Sequence, residues 1–506
     1  MSETSIEALL SHLGEHEQKV GIVGPNSGRI SFELPQFTAN EVVAAIGAAR
    51  DCQPDWQEVK VRDRADVLLR LHDRIIAQRE QLIDLLQFEA GKARVHGFEE
   101  VAGAMSAALY YGKTAAKTLQ TKRIASGAPT VTRNLVDFVP VGVVGVITPW
   151  NYPLALTAMD VLPALAAGNT VVQKIDNQTA LCALYLRQLA IDAGLPEEVW
   201  TIVVGDGAEV GNAITDHVDY VAFTGSTATG RVVARRASER LIGYSLELGG
   251  KNPLIVLPGA NLAKAAEIAM GAAIGNAGQL CVAIERIYVA EASRAEFLKL
   301  LSTKLQSLKI GKSSKVDRDL GVLTSEAQLK RVQSMVQDAV TAGATLVTGG
   351  QHVEDEAPYT FSPALLTDIP ETARLHRSEV FGPVLQVYGY QNLDEAVADA
   401  NDSEYGLNAS VVGDNATALK VARQLNAGSV NINEGYRASF AAMSSPMGGF
   451  KQSGHGRRNG PGGLLRFTES RAIGIATGFI KLPTRAKNYP FVANLMFALS
   501  RIKRRL

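Results

Sequence analysis

The chain has 506 residues, too many for one hydrophobic core, and fits roughly two to four domains. Lys plus Arg number 51 and Asp plus Glu number 51, so the basic excess of a nucleic-acid-binding protein is missing. Cys52, Cys182 and Cys281 are too sparse for a disulfide framework or a zinc site, and Met1–Val20 lacks a basic-then-apolar leader, which together fit a cytoplasmic protein without a metal.

Residues 39–92 set Leu68, Leu71, Ile75, Leu82 and Leu86 at helical spacing among charges, with Gly91 as a stop. An Ala-rich helix is predicted over Glu99–Lys117, and Thr130–Pro140 alternates like a half-exposed strand. From Val141 the pattern becomes short apolar runs separated by helices. Strands are predicted at Val141–Ile147, Thr170–Gln173, Val199–Val204 and Tyr220–Phe223. Helices are predicted at Leu154–Ala167, Asn177–Ala193 and Val210–Ile214. This alternation implies an α/β fold with a doubly wound parallel sheet that binds its ligand at the carboxyl ends of the strands. After Gly250 a second α/β unit is predicted, with strands at Leu254–Val256, Glu285–Val289 and Ser429–Ile432 and helices at Leu262–Gly275 and Ala327–Ala342. The apolar runs fall far short of the roughly 20 residues that cross a bilayer.

Four features carry candidate chemistry. Glu247 precedes Cys281 by 34 positions: a thiol adds to an aldehyde carbonyl, and a carboxylate activates the water that later removes the acyl group. Read alone, Cys281 is the usual small buried apolar residue and Glu247 the usual solvated carboxylate; their co-occurrence carries the reading. Val218–Thr224 followed by Gly225-Ser-Thr-Ala-Thr-Gly230 reads as a strand and a Gly-rich turn, with a helix from near Arg231. That arrangement offers amides to a phosphate, or is a plain strand–helix turn. Asn151, after the first strand, either donates to an oxyanion or makes an Asx turn. Lys174 either contacts a cofactor or is a solvated strand-end lysine.

Glu89-Ala-Gly-Lys92, Thr148-Pro-Trp-Asn-Tyr-Pro153, Ala167-Gly-Asn-Thr-Val-Val-Gln-Lys174, Phe223-Thr-Gly-Ser-Thr-Ala-Thr-Gly230, Glu247-Leu-Gly-Gly-Lys251, Gly278-Gln-Leu-Cys281, Glu379-Val-Phe-Gly-Pro383 and Pro446-Met-Gly-Gly-Phe-Lys-Gln-Ser-Gly454 follow one another in this order. Over residues 40–475 the chain resembles the aldehyde dehydrogenase superfamily. The resemblance implies two doubly wound parallel-sheet domains and a β-arm for oligomerisation. The cofactor-binding domain would comprise residues 1–121 and 141–249, the catalytic domain 250–446, the arm 122–140 and 468–476, and an apolar-basic tail 477–506. It implies a homodimer or homotetramer acting on a small-molecule aldehyde. Cys281 would be the nucleophile, Asn151 the oxyanion donor and Glu247 the base. Thr148, Trp150, Lys174, Asn177, Gly207, Gly225, Ser226, Gly230, Glu379 and Phe381 would meet the cofactor.

That cofactor is NADP or NAD. Many NAD-preferring relatives carry Glu where this chain has Asn177, which favours NADP, whereas the neighbouring Asp176 argues the other way. Asp160 stands where many members have Lys, and Arg458 where many have Glu. Leu241–Gly250, Asn433–Gly435 and Gly456–Leu465 resemble a succinate-semialdehyde dehydrogenase branch, for which Arg437 is the local candidate to hold a distal carboxylate. Pro490–Ser500 is apolar and Arg501–Leu506 basic, so peripheral membrane contact and a medium- or long-chain apolar aldehyde form the alternative.

Overall fold

The computed structural model describes residues 3–126, 131–312, 317–354, 357–477, 485–486 and 489–504. Residues 127–130 of the expected arm, and 478–484, 487–488 and 505–506 of the expected tail, lie outside the described residues.

A six-stranded sheet runs in the order Gly454–His455, Gly243–Glu247, Tyr220–Thr224, Val143–Ile147, Thr170–Lys174, Trp200–Val203. All pairings are parallel except that of the short Gly454–His455 edge. Val143–Ile147 is buried throughout, as expected for a strand covered on both faces. From this strand the chain steps outward through Thr170–Lys174 to Trp200–Val203, then returns to its other side at Tyr220–Thr224. The reversal lies between Ile147 and Thr224, and a crevice opens at such a switch point.

Helix Pro153–Ala167 follows the first strand and is buried at every position. A helix apolar on all sides has no solvent face, and this one packs against helix Arg94–Thr118. Asp160 is the single acidic residue in it, at 0% exposure. The helical region at 39–92 resolves into Ala39–Glu58, Val61–Ala77 and Arg79–Ala90. The first is set by a capping box between Thr38 and Glu41, and the last ends on Gly91 in the left-handed conformation.

The second sheet has seven strands in the order Thr345–Thr348, Ala364–Thr367, Val384–Tyr390, Ile284–Ala290, Asn252–Val256, Asn408–Val412, Ser429–Ile432. Only the Thr345–Thr348 edge is antiparallel. The fold is therefore α/β with two doubly wound sheets, as the sequence implied. A third, antiparallel sheet joins Thr468–Ala476, Thr132–Pro140 and Lys122–Ile124, the position expected for the arm. A hairpin of Lys19–Val23 and Ile30–Pro35 was not anticipated. The tail forms a helix, Tyr489–Lys503, with Phe491 76% and Phe497 64% exposed. Among the described residues no helix is long and apolar enough to cross a membrane.

Candidate active site

Leu248–Lys251 carries the chain from the first sheet to the second. The cleft beside it, about 740 Å³, is lined by Trp150, Asn151, Glu247, Cys281, Glu379 and Phe381, among others. It shares Pro149, Trp150, Thr224, Gly225 and Ser226 with a second hollow of about 1330 Å³ at the carboxyl ends of the first sheet. One continuous groove thus connects the switch point to the cysteine.

Cys281 ends a loop held in an unusual shape. Asn276, Ala277 and Gly278 have φ values of 50°, 56° and 70°, three consecutive left-handed residues. Side chains resist that region, so surrounding contacts must impose it. A Cβ on Gly278 would stand 2.2 Å from the Gly382 carbonyl oxygen, so only glycine fits there. The Cys281 carbonyl accepts from Asn252 Nδ2 at 2.7 Å. Burial, then the charges of Glu247 and Glu379, push the thiol up to about 12.

Glu247 closes the strand Gly243–Glu247 and pairs with Thr224 on one side and Gly454 on the other. It is 4% exposed, and its Oε2 has no hydrogen-bond partner among the described residues. Burial raises its pKa above the ordinary carboxylate range, opposed chiefly by Arg458. Asn151 is also 4% exposed; its Nδ2 donates to the Gln279 carbonyl at 3.0 Å, beside the cysteine loop.

Behind Glu247 lies a buried ionic triad. Arg458 donates to Asp160 Oδ1 at 2.9 Å and Oδ2 at 2.5 Å, and to Thr224 Oγ1 at 2.7 Å. Arg466 donates to Asp160 Oδ1 at 2.5 Å and to Ser245 Oγ at 3.0 Å. Burial alone would raise the Asp160 pKa, but the two guanidiniums outweigh it and hold the carboxyl below its usual value. The departures at Asp160 and Arg458, each unexplained in isolation, are thus one interaction.

Most residues expected at the cofactor line this groove. Thr148, Trp150, Lys174, Gly207, Gly225 and Ser226 face the wider hollow. Glu379 and Phe381 face the narrower cleft, where Glu379 Oε1 accepts from Gly250 N at 2.8 Å. The Phe381 ring meets Trp150 edge-on at 5.6 Å across the groove. Phe381 is itself left-handed, with φ 60°. Its amide and that of Val380 donate to Glu285 Oε1 at 3.1 and 2.8 Å, and Glu285 pairs with buried Lys251.

Three positions fall elsewhere. The helix after the Gly-rich turn starts at Thr227, not near Arg231, because Ser226 Oγ accepts from Thr229 N and caps it. Gly230 is therefore inside the helix, where a Cβ would stand 2.5 Å from Leu248 Cδ2; it lets helix and strand approach. Asn177 does not line the groove, since its Oδ1 accepts from Gly205 N and its Nδ2 donates to Gln36. Asp176 takes the lining place beside Lys174. Arg437 is shared between Glu99 at 3.2 Å and Glu434 at 3.6 Å, with its side chain 42% exposed. Gln328 and Arg331 line the cleft from helix Glu326–Ala342 and carry no motif that would have marked them.

The groove fits a dinucleotide. The N-terminus of helix Thr227–Glu239 opens onto it through Ser226, Ala228 and Thr229, which suits a phosphate. Ile147, Phe223, Val232 and Val233 supply an apolar wall, and Glu379 offers a carboxylate to a ribose hydroxyl. Among the described residues no cluster of side chains is arranged to hold a metal ion.

Comparison with known proteins gives a consistent result. Residues 13–473 match the model of the aldehyde dehydrogenase family. A Mycobacterium ulcerans protein with the provisional name succinate-semialdehyde dehydrogenase [NADP(+)] 2 is 46% identical over 454 residues, covering 90% of this chain and 88% of that one. The crystal structure of an E. coli NADP-dependent enzyme superposes with a TM-score of 0.87 at 32% identity, covering 91% of this chain and 95% of that one. Betaine aldehyde dehydrogenase from Staphylococcus aureus, solved with NAD+, gives 0.88 at 30% identity, covering 95% and 98%.

Proposed function

This chain belongs to the aldehyde dehydrogenase family and is an NAD(P)-dependent oxidoreductase acting on aldehydes, and from that premise we propose that Cys281, Asn151 and Glu247 carry the reaction and that its substrate is succinate semialdehyde. The observation that supports this most is the meeting of all three side chains in one cleft continuous with the dinucleotide groove.

Cys281 Sγ, as thiolate, adds to the aldehyde carbon. The S–C bond forms and the carbonyl π pair moves to oxygen, whose charge is met by Asn151 Nδ2 and the Cys281 amide. A nicotinamide dinucleotide held by Ser226, Glu379 and Phe381 would supply the two-electron acceptor that takes the hydride lost by the tetrahedral alkoxide. The resulting thioester stays on Cys281. Glu247 takes a proton from water as the water oxygen attacks the thioester carbon, and the carboxylic acid departs as the sulfur recovers its electron pair. A transfer to a second thiol would not need such a base. Burial raises the Glu247 pKa and Arg458 restrains that rise, and a raised pKa makes the carboxylate a stronger base toward water.

The cofactor preferred is NADP. This rests on the relative's name, against the charge of Asp176, which lines the groove beside Lys174. Arg437 is the candidate for the distal carboxylate, which must then displace Glu99 or Glu434. The three-stranded sheet of Lys122–Ile124, Thr132–Pro140 and Thr468–Ala476 is the contact through which dimers or tetramers form. The test is cofactor reduction followed by absorbance, with NAD and NADP separately, for succinate semialdehyde and a medium-chain aliphatic aldehyde. The expected result is the higher kcat/KM for succinate semialdehyde with NADP. A higher value for the aliphatic aldehyde discards the substrate assignment.

A further inference from the structure

Lys92 and Glu100 form a buried ion pair at 2.6 Å, with both side chains at 0% exposure. Such a pair is costly to desolvate and contributes little net stability, so its geometry is informative. Lys92 sits between two helices, immediately after the left-handed Gly91 that ends Arg79–Ala90 and just before Arg94–Thr118. An ammonium has three donor directions. One donates to the backbone carbonyl of Asn151 at 2.6 Å. The charge as a whole pairs with Glu100 Oε2. The ammonium also stands 3.7 Å from the centre of the Tyr152 ring, which attracts it. Lys92 is thus fastened to residues 151 and 152 by two independent interactions.

Glu100 fastens the next turn. Its Oε1 accepts from Leu154 N at 2.6 Å and Ala155 N at 3.3 Å, capping helix Pro153–Ala167 in the absence of any side-chain N-cap from Tyr152. Asn276 Nδ2 reaches the same Asn151 carbonyl at 3.0 Å, so the carbonyl is gripped from two sides. Asn151 Nδ2 meanwhile spends one N–H on Gln279 O, which leaves its other N–H available as a donor. The backbone of residue 151 therefore has no freedom to carry its amide away.

We propose that Lys92 and Glu100 are positioning residues that hold Asn151 as the oxyanion donor before substrate arrives. This rests on the reading of Asn151 given above. A donor fixed in advance stabilises developing charge without reorganising at the moment of reaction, and displacement by about 1 Å can cost about 100-fold in rate.

The test uses the full-length enzyme and two reactions of Cys281. Acylation by 4-nitrophenyl acetate forms a thioester, expels 4-nitrophenolate and passes through an oxyanion. Alkylation by iodoacetamide displaces iodide and passes through none. Lys92→Met is expected to slow acylation by about 10- to 100-fold while alkylation changes less than about threefold. Glu100→Gln, which keeps an acceptor for Leu154 and Ala155, is expected to slow acylation in the same selective way and serves if Lys92→Met does not fold. Asn151→Ala is expected to slow acylation by about 100-fold or more. Combining Lys92→Met or Glu100→Gln with Asn151→Ala is expected to add nothing further, because the lost positioning has no donor left to act on. Additive losses, or equal losses in both reactions, overturn the proposal and leave the role of Asn151 standing. An Asn151→Ala enzyme that acylates at the parental rate overturns the reading of Asn151 itself.

Discussion

Asp160 and Arg458, 298 positions apart in the chain, meet through two hydrogen bonds of 2.9 and 2.5 Å behind the carboxylate of Glu247. Arg458 also bonds Thr224, the strand partner of Glu247, so the pair braces the sheet at the base's own position. Asp160→Asn would leave Arg458 and Arg466 facing each other with no counter-charge. Breaking a buried pair in this way typically costs about 3–5 kcal/mol, and a loss of that size in denaturant unfolding is expected. Because the Asp160 pKa is lowered by folding, its contribution holds above the usual 3.8 and fades only as acid protonates it in the folded state. The variant should therefore show its deficit at neutral pH, narrowing in strong acid.

Glu247→Gln separates the two halves of the reaction. The thioester should form and then wait, so a burst of reduced cofactor stoichiometric with enzyme is expected, followed by a steady rate at least about 100-fold lower. Stopped-flow absorbance reads both phases. A parental steady rate would remove Glu247 from the role of base.

Glu379 links folding to pH in the opposite sense from Asp160. Burial raises its pKa from 4.5 to about 8. Its stabilising contribution is present in full below about 4.5 and is lost as pH rises through about 8, because the folded carboxyl must then hold a charge it cannot solvate. Thermal unfolding across this range should show a downward slope that Glu379→Gln reduces, the remainder coming from Glu89, which burial also raises to about 8.

The thiol of Cys281, pushed up to about 12, is scarcely ionised at neutrality in the free protein. Its alkylation by iodoacetamide should rise close to tenfold per pH unit over about pH 7–9. A plateau within that range would indicate a thiolate already formed.

Gly278→Ala should abolish turnover. A Cβ there would stand 2.2 Å from the Gly382 carbonyl oxygen and 2.7 Å from Pro383 N, in a loop already left-handed at three successive residues. Either Cys281 or the Glu379–Pro383 segment must move. Loss of both acylation and cofactor binding is expected, the second read by fluorescence titration.

Much of the molecule was legible in the sequence because its signals are local. Continuous apolar runs marked the buried strands at 143–147 and 220–224, and the segments around Glu247 and Cys281 marked the chemistry. The failures have physical causes. Val384–Tyr390 and Asn408–Val412 were left out because each is a short buried run with no periodicity of its own. Gly225–Gly230, bounded by glycine at both ends, was read as a turn, so the helix was placed near Arg231 although Ser226 carried the capping signal. Asn177 was expected both to open the helix 177–193 and to meet the cofactor. Instead Asp176 accepts from Gln178 N and starts a tight turn, and Asn177 bonds Gly205. Asp160, Arg458 and Lys92 were visible as letters only, because their meaning lies in partners distant in the chain.

The buried triad also constrains substitution. Asp160 answers two cations at once, so Asp160→Lys would seal three positive charges behind Glu247, and Arg458→Glu would set two carboxylates against Arg466 alone. None of the three positions can reverse its charge without a second change among the other two.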